Sequence, residues 1–219
     1  MQKEKSMLES EATTTEYYFP TMIFKSTIAG HSNLKSILIQ EIRKERDRDE
    51  VGLERSNFRS LGGWHSGNNL HTKEVFKPVA DQIHMTGREI SKQLGYHKGK
   101  QLRIESMWSI INPPGGANGA HIHPGSHWSG VYYVQTPENC GDIEFFDPRT
   151  AHVMNEPVFE STQQRKRENW TKVRFTPKPG RVLIFPSWLY HSVHPNCSNL
   201  TGLDSERVIM SFNLSQRSL

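Results

Sequence analysis

The 219-residue sequence lacks the features that mark secreted and membrane proteins. It has two cysteines, Cys140 and Cys197, far apart and not in a metal-type pair, so we expect reduced thiols. No apolar run approaches the roughly 20 residues of a membrane-spanning helix. The polar opening, residues 1–15, lacks the apolar centre of a signal peptide. These absences predict a soluble, cytoplasmic protein with no membrane partner.

Internal repeats and low-complexity tracts are also missing from the sequence. The length suits one domain with a sizeable core. We therefore predict a flexible tail over residues 1–15 and a single domain over 16–219, made of a helical support region (16–100) and a β-rich core (101–219). The net charge of +4 and the pI near 9.1 permit acidic partners without requiring them.

Helical periodicity is present only before residue 100. Apolar residues from Leu34 to Ile42 have helical spacing, and the charged run 43–50 after them reads as a solvated face and loop. A second pattern predicts a helix from Phe76 to Leu94, with Pro78 in its first turn and its end near Gly95. An early strand is predicted over residues 17–28.

Beyond residue 100 the sequence changes to short β-type runs separated by turns rich in proline, glycine and asparagine. The predicted strands are 102–111, 120–123, 129–135, 142–146, 172–175, 181–185, 190–193 and 207–214. Strands without intervening helices predict a mainly β protein with N-terminal helices and a double-sheet jelly-roll core. Residues 149–171 form a polar insertion.

Two histidines, His121 and His123, lie one residue apart in a predicted strand. Alternate residues of a strand point to the same side, so both imidazoles share one face. A third histidine, His191, follows the buried strand 181–185, and His194 would face the other way. A pair from one strand plus one residue from a distant strand is typical of a facial triad, which leaves half of an octahedral metal open for substrates.

The order of these motifs resembles that of the iron(II)- and 2-oxoglutarate-dependent dioxygenases. The matching segments are "HIHPGSHWSGVYYV" (121–134), "GDIEFFDP" (141–148), "PKPGRVLIF" (177–185), "HSVHP" (191–195) and the late Arg207. With "GGWHSGNNL" (62–70) and "WSIINPPG" (108–115), they look most like a little-characterised branch of 2OG-Fe(II) oxygenases, over about residues 54–214. The resemblance implies a double-stranded β-helix, a cupin-like jelly roll.

The resemblance also implies roles for individual residues. His121 and His191 match the two histidine ligands of the family, and Arg207 matches the arginine that pairs with the distal carboxylate of 2-oxoglutarate. Ser211 and Tyr133 match groups that assist that carboxylate. The implied cofactors are Fe(II), 2-oxoglutarate as co-substrate and O₂. The implied activity is hydroxylation of a C–H bond, coupled to oxidative decarboxylation of 2-oxoglutarate.

One position departs from the family pattern. His123 stands where the family usually has an aspartate or glutamate ligand. We predict His121, His123 and His191 as the metal ligands, with Asp147 or Asp142 as the alternative third ligand. Three neutral imidazoles also suit zinc. Two rival functions therefore stay open, a non-catalytic metal-binding jelly roll and a three-histidine dioxygenase that uses no 2-oxoglutarate.

The sequence predicts less about the substrate. The stretch from Arg207 to Asn213 lacks the pattern that ends the nucleobase-demethylating branch, so a protein or small molecule is favoured over nucleic acid. The Trp64-His65 pair in a glycine-rich loop is hypothesised to close over the site, and the insertion 149–171 reads as a surface loop rather than a lid. His127 is expected in a loop, and oligomeric state stays open. The remaining tryptophans, expected as core residues, are Trp108, Trp128 and Trp188.

Overall fold

A computed structural model describes residues 13–49, 51–162 and 164–218, so most of the predicted 1–15 tail lies outside the described residues. Its strands are β1 Phe24–Thr27, β2 Trp64–His65, β3 Lys100–Asn112, β4 Asn118–His121, β5 Trp128–Gln135, β6 Ile143–Phe146, β7 Lys172–Phe175, β8 Arg181–Pro186, β9 His191–Val193 and β10 Arg207–Ser218. Its α-helices are α1 His31–Arg48, α2 Val51–Arg55, α3 Lys77–Gln93 and α4 Thr150–Met154. Single 3₁₀ turns occupy several of the connections.

Within the described ranges the strands form two antiparallel sheets. The larger sheet has the order β1-β8-β5-β10-β3-β2, and the smaller has the order β4-β9-β6-β7. Strands that are neighbours in space but distant in sequence, such as β5 and β10, indicate the jelly-roll connection. The prediction of a mainly β, double-sheet core with N-terminal helices is confirmed.

The larger sheet has two apolar faces, and each strand shows the expected alternation. In β10, Val208, Met210 and Phe212 pack towards the helices, where they join the main core with residues of α1 and α3. Ile209 faces the opposite way and joins a smaller apolar cluster between the sheets. A period of two sends alternate residues to opposite faces. Arg207 and Ser211 therefore share the inter-sheet side with Ile209.

The helices differ from prediction mainly in length. Pro78 lies in the first turn of α3, and Gly95 follows its end with a φ of +67°, so this helix is confirmed. Helix α1 extends to Arg48, so most of the charged run that was predicted as a solvated face and loop is helical. The extension has a physical reason, because Arg43 and Arg46 both pair with Glu206 at 3.1 and 3.0 Å.

Two predicted strands are wrong in extent. The early strand is limited to Phe24–Thr27, because Pro20 has no N–H for a ladder and Phe19 has a φ of +55°. Strand β4 ends at His121, so His123 lies in the loop that follows rather than in the strand. None of the described helices is both long and apolar enough to cross a membrane.

Candidate metal centre and co-substrate pocket

The structure brings His121, His123 and His191 together. One ring nitrogen from each histidine lies within 4.8 Å of the others. The ring centroids are 4.3 Å apart for His121 and His191, 5.0 Å for His121 and His123, and 5.2 Å for His123 and His191. In the described part of the chain, this is the group of histidine, cysteine and acidic residues whose ligand atoms could converge on a metal ion.

Strand pairing and a returning loop produce this convergence. Strands β4 and β9 are antiparallel neighbours, and His121 lies directly opposite His191. Such cross-strand pairs have Cβ atoms about 4.5–5.5 Å apart. After β4 ends, the loop is held by the backbone N–H of His123, which donates to the carbonyl of Ser187 at 2.9 Å. His123 therefore reaches the same point as the strand pair without belonging to a strand.

Backbone carbonyls orient two of the three rings. His121 Nδ1 lies 2.8 Å from the carbonyl oxygen of Gly119, and His191 Nδ1 lies 2.9 Å from that of Leu189. A carbonyl only accepts, so Nδ1 of each ring is the protonated nitrogen and Nε2 carries the free lone pair. Metal-binding histidines are usually held by such a contact from the other nitrogen.

Burial keeps two of the imidazoles uncharged. The pKa of His123 is lowered to about 4, mainly by loss of water and also by the neighbouring His121, against a raising contact with Asn213. Loss of water likewise lowers the pKa of His191 to about 3, although its contact with the Leu189 carbonyl opposes the change. Only a neutral imidazole can bind a metal. Both rings are therefore ready to bind a cation at neutral pH.

The two aspartates considered as alternative ligands are not part of this cluster. Asp147 accepts hydrogen bonds of 2.9 Å from the backbone and guanidinium of Arg149. It lines a different cavity of about 400 Å³, beside the insertion 149–171. Asp142 precedes β6, and its carbonyl accepts from the backbone of His194. The converging group contains three histidines and neither aspartate.

Arg207 lies at the inner end of the same cavity. The side chain is 1% exposed, and its Nη1 donates to backbone carbonyls, at 3.1 Å to His194 and also to Cys140 and Gly141. Its Nε and Nη2 are buried and have no hydrogen-bond partner within the described ranges. Burial lowers the pKa of Arg207, but an arginine stays charged in proteins. An uncompensated buried guanidinium is costly, so this site fits an anionic ligand.

The register of the larger sheet places the other predicted co-substrate residues beside Arg207. Ile209 lies opposite Tyr133 of β5, and Ser211 lies opposite Trp108 of β3. All of these side chains line one cavity of about 460 Å³ that also includes the three histidines. Burial raises the pKa of Tyr133, so its hydroxyl stays protonated and can donate to an anion.

The wall of the cavity next to His123 is an aromatic stack. Trp108 stacks between His65 and His123, with ring centroids 5.7 Å apart in both pairs and interplanar angles of 14° and 24°. Trp108 is buried, as expected of a core residue, and it also lines the cavity. The signal that could have found its place at the cavity is the alternation of β3, which sets Trp108 on the face of Ile110.

The remaining sequence hypotheses have mixed outcomes. His65 lines the cavity, but Trp64 is fully buried in the main core, so only half of the Trp64-His65 pair reaches the site. His127 is in a loop, and His194 points away, 3.6 Å from Glu144. Trp128 is in the core as expected, whereas Trp188 is half exposed.

Comparisons with known proteins agree with this fold and site. Residues 106–213 match the family described as "Putative 2OG-Fe(II) oxygenase". None of the curated proteins matches the chain. A prolyl-4-hydroxylase from Pseudomonas putida is 15% identical, with a TM-score of 0.58 over 90% of this chain and 94% of that one.

Two further solved structures have the same fold. The epimerase SnoN, in complex with Fe³⁺, α-ketoglutarate and nogalamycin RO, is 11% identical, with a TM-score of 0.60 over 90% of this chain and 81% of that one. The viral collagen prolyl hydroxylase from Paramecium bursaria Chlorella virus-1 is 15% identical, with a TM-score of 0.53 over 88% of this chain and 94% of that one.

The double-sheet jelly roll of this chain, with three histidines that could hold a metal ion, is the fold that these solved structures share. Over residues 106–213 the chain matches the 2OG-Fe(II) oxygenases, a family of oxidoreductases. Iron(II) and 2-oxoglutarate are the cofactor and co-substrate of that family. The three-histidine group can bind iron.

Proposed function

We propose that the protein is an iron(II)- and 2-oxoglutarate-dependent dioxygenase that hydroxylates a C–H bond of a protein or small molecule. One observation carries the proposal. Three converging imidazoles and a buried guanidinium with two unpartnered nitrogens line the same cavity. The balanced reaction converts 2-oxoglutarate, O₂ and R–H into succinate, CO₂ and R–OH.

The proposed roles begin with the three histidines. His121 and His191 would hold iron through Nε2, because their Nδ1 atoms are engaged by carbonyls. His123 would complete one triangular face of the metal. Bound iron(II) supplies the activation of O₂ and the oxidation of the C–H bond. Three neutral ligands leave the full charge of the dication, and this favours a dianionic co-substrate.

The second group of residues would hold 2-oxoglutarate. The free edge of Arg207 offers Nε and Nη2, and a planar guanidinium can bind both oxygens of a carboxylate. Tyr133 and Ser211 would donate hydroxyl hydrogens to the same group, since both face this end of the cavity. The apolar neighbours Ile209 and Val131 would exclude water from the anion.

The rival functions predict different behaviour. A zinc-binding module requires no anion pocket, and a three-histidine dioxygenase without 2-oxoglutarate requires no arginine behind its metal. The unpartnered edge of Arg207 favours the 2-oxoglutarate-dependent enzyme over both rivals. A buried cation without a counter-charge destabilises the fold, so stability alone does not explain this arginine.

The test combines metal analysis with succinate formation by the purified protein under air. We expect iron to support release of succinate from 2-oxoglutarate. Arg207→Lys should raise KM for 2-oxoglutarate about 10- to 100-fold, because a two-point, charge-assisted contact is lost. The matched control is Arg217→Lys on the same strand, where the guanidinium is exposed and pairs with Glu105 at 2.6 Å. Full zinc occupancy without turnover would support the binding module, and turnover insensitive to Arg207→Lys would exclude the 2-oxoglutarate role.

A further inference from the structure

The cavity has an arginine side chain at each end and no lining carboxylate from the described ranges. The described residues that line it include two arginines, Arg207 at the inner end and Arg55 at the rim, and no aspartate or glutamate. A metal dication held by neutral imidazoles would be neutralised by a dianionic co-substrate. The positive charge of Arg207 would then remain without a counter-charge. A cleft whose lining carries one sign of charge attracts ligands of the opposite sign and repels ligands of the same sign. The electrostatics of the rim therefore matter for substrate choice.

Arg55 is held at the rim by two contacts. Its Nε donates to the carbonyl of His65 at 3.1 Å, and its Nη2 donates to Asp49. Asp49 is not among the residues that line the cavity. These contacts fix the plane of the guanidinium, and in the described part of the chain no hydrogen bond occupies Nη1. A fixed planar donor needs little reorganisation to bind an oxyanion.

Trp108 supplies a second, independent observation. The side chain is 8% exposed, yet its indole Nε1 is buried without a hydrogen-bond partner in the ranges that the structure describes. A buried N–H without an acceptor is unfavourable and is normally satisfied. Trp108 stacks on His65, whose carbonyl holds Arg55. The guanidinium of Arg55 and the indole of Trp108 therefore both contact His65, at the rim of the cavity.

We infer that the substrate to be oxidised is a small molecule that carries a carboxylate. The carboxylate binds Arg55, the indole N–H of Trp108 binds an acceptor of the same molecule, and the carbon chain lies along the aromatic wall towards the three histidines. This inference rests on the proposed function. The cavity of about 460 Å³ is within the range of about 300–1,000 Å³ for small-molecule sites, so 2-oxoglutarate and a small substrate can share it.

The experiment measures binding of three six-carbon probes: hexanoate, hexanamide and hexylamine. The protein is loaded with Zn(II), which does not turn over, and with saturating 2-oxoglutarate, which covers the Arg207 end. Binding is followed by saturation-transfer NMR of the probe signals. We expect hexanoate to bind about 10-fold or more tightly than hexanamide, because a charge-assisted contact replaces a neutral one, and hexylamine to show no binding.

Two variants locate the binding. Arg55→Glu should abolish the hexanoate signal, and Trp108→Phe, which keeps the ring and removes the N–H, should weaken it about 5-fold. The control is Arg59→Glu, four residues further on, where the exposed side chain is not among those that line the cavity. This control introduces the same charge change and should leave hexanoate binding intact.

Equal binding of the three probes, preference for hexylamine, or hexanoate binding unchanged by Arg55→Glu would overturn the inference. Binding of 2-oxoglutarate is read separately from its own signals in the same samples. Loss of 2-oxoglutarate binding with Arg55-dependent hexanoate binding retained would contradict the proposed co-substrate, while the anion subsite would stand.

Discussion

Buried, uncharged histidines dominate the chemistry of the candidate centre at the scale of single residues. Between the ordinary histidine pKa near 6.5 and the lowered values of about 4 for His123 and about 3 for His191, the unfolded chain binds protons that the folded protein does not. Stability must therefore fall as pH falls through this window. Each histidine contributes a slope of about 1.4 kcal/mol per pH unit.

We predict that the metal-free protein loses stability between pH 6.5 and 4, and that His191→Gln reduces this loss by about 1.4 kcal/mol per pH unit. The measurement is urea unfolding of the metal-free protein at several pH values. His97→Gln, at an exposed position, is the control and should leave the slope unchanged. The same slope in the wild type and His191→Gln would contradict the assignment of a neutral buried imidazole.

The turn between β5 and β6 packs against Arg207, at the proposed 2-oxoglutarate end of the cavity, at the scale of elements. Gly141 has a φ of +90°, and a Cβ there would lie 2.2 Å from the carbonyl oxygen of His194 and 2.8 Å from Nη1 of Arg207. The absence of a side chain thus lets the turn approach the arginine, whose Nη1 also donates to the Gly141 carbonyl at 3.3 Å.

We predict that Gly141→Ala both destabilises the protein and raises KM for 2-oxoglutarate, because the clash displaces Arg207. The matched control is Gly202→Ala, where φ is +61° but nothing lies within 4 Å of the new Cβ. Gly202→Ala should lower the free energy of unfolding only by the backbone strain, about 1–2 kcal/mol, and should leave KM for 2-oxoglutarate unchanged. Urea unfolding and steady-state kinetics measure the two effects. An unchanged KM for 2-oxoglutarate in Gly141→Ala would contradict a role of this turn in positioning Arg207.

Elements also explain how much could be predicted from the sequence. The alternating apolar and polar runs predicted the strands of the core. They also predicted that Arg207 and Ser211 lie on the same face of one strand, because alternation depends only on local geometry. Alternation does not say which distant strands are neighbours, so the pairing of His121 with His191 required the resemblance or the structure.

Other parts of the site had no local signal. His123 lies beyond the end of its strand, where the backbone contact with Ser187 rather than strand geometry sets its position. Arg55 ends a five-residue helix near a charged run, and short charged segments have no periodicity that separates a rim residue from a solvated one. Its place at the cavity follows from the contact with His65, ten residues away.

The arrangement of the two sheets matters most at the scale of the whole molecule. His121 and His191 belong to the smaller sheet, whereas Arg207, Ser211 and Tyr133 belong to the larger one. Under the proposed function, a metal bound on one sheet and a carboxylate anchored on the other would make 2-oxoglutarate the bridge between the layers. Binding of the metal and of 2-oxoglutarate should therefore be coupled, and thermodynamic coupling is reciprocal.

We predict that Zn(II) and 2-oxoglutarate together raise the Tm by more than the sum of their separate effects. A ligand at 100 times its Kd stabilises by about 2.7 kcal/mol, which corresponds to roughly 5–10 °C for a chain of this size. Arg207→Lys should keep the shift caused by Zn(II) alone and lose most of the extra shift caused by 2-oxoglutarate, whereas Arg217→Lys should keep both. Thermal unfolding with each ligand alone and with both measures the coupling. Additive shifts in the wild type would mean that binding of the two ligands is not coupled, which would contradict 2-oxoglutarate as a bridge between the two sheets.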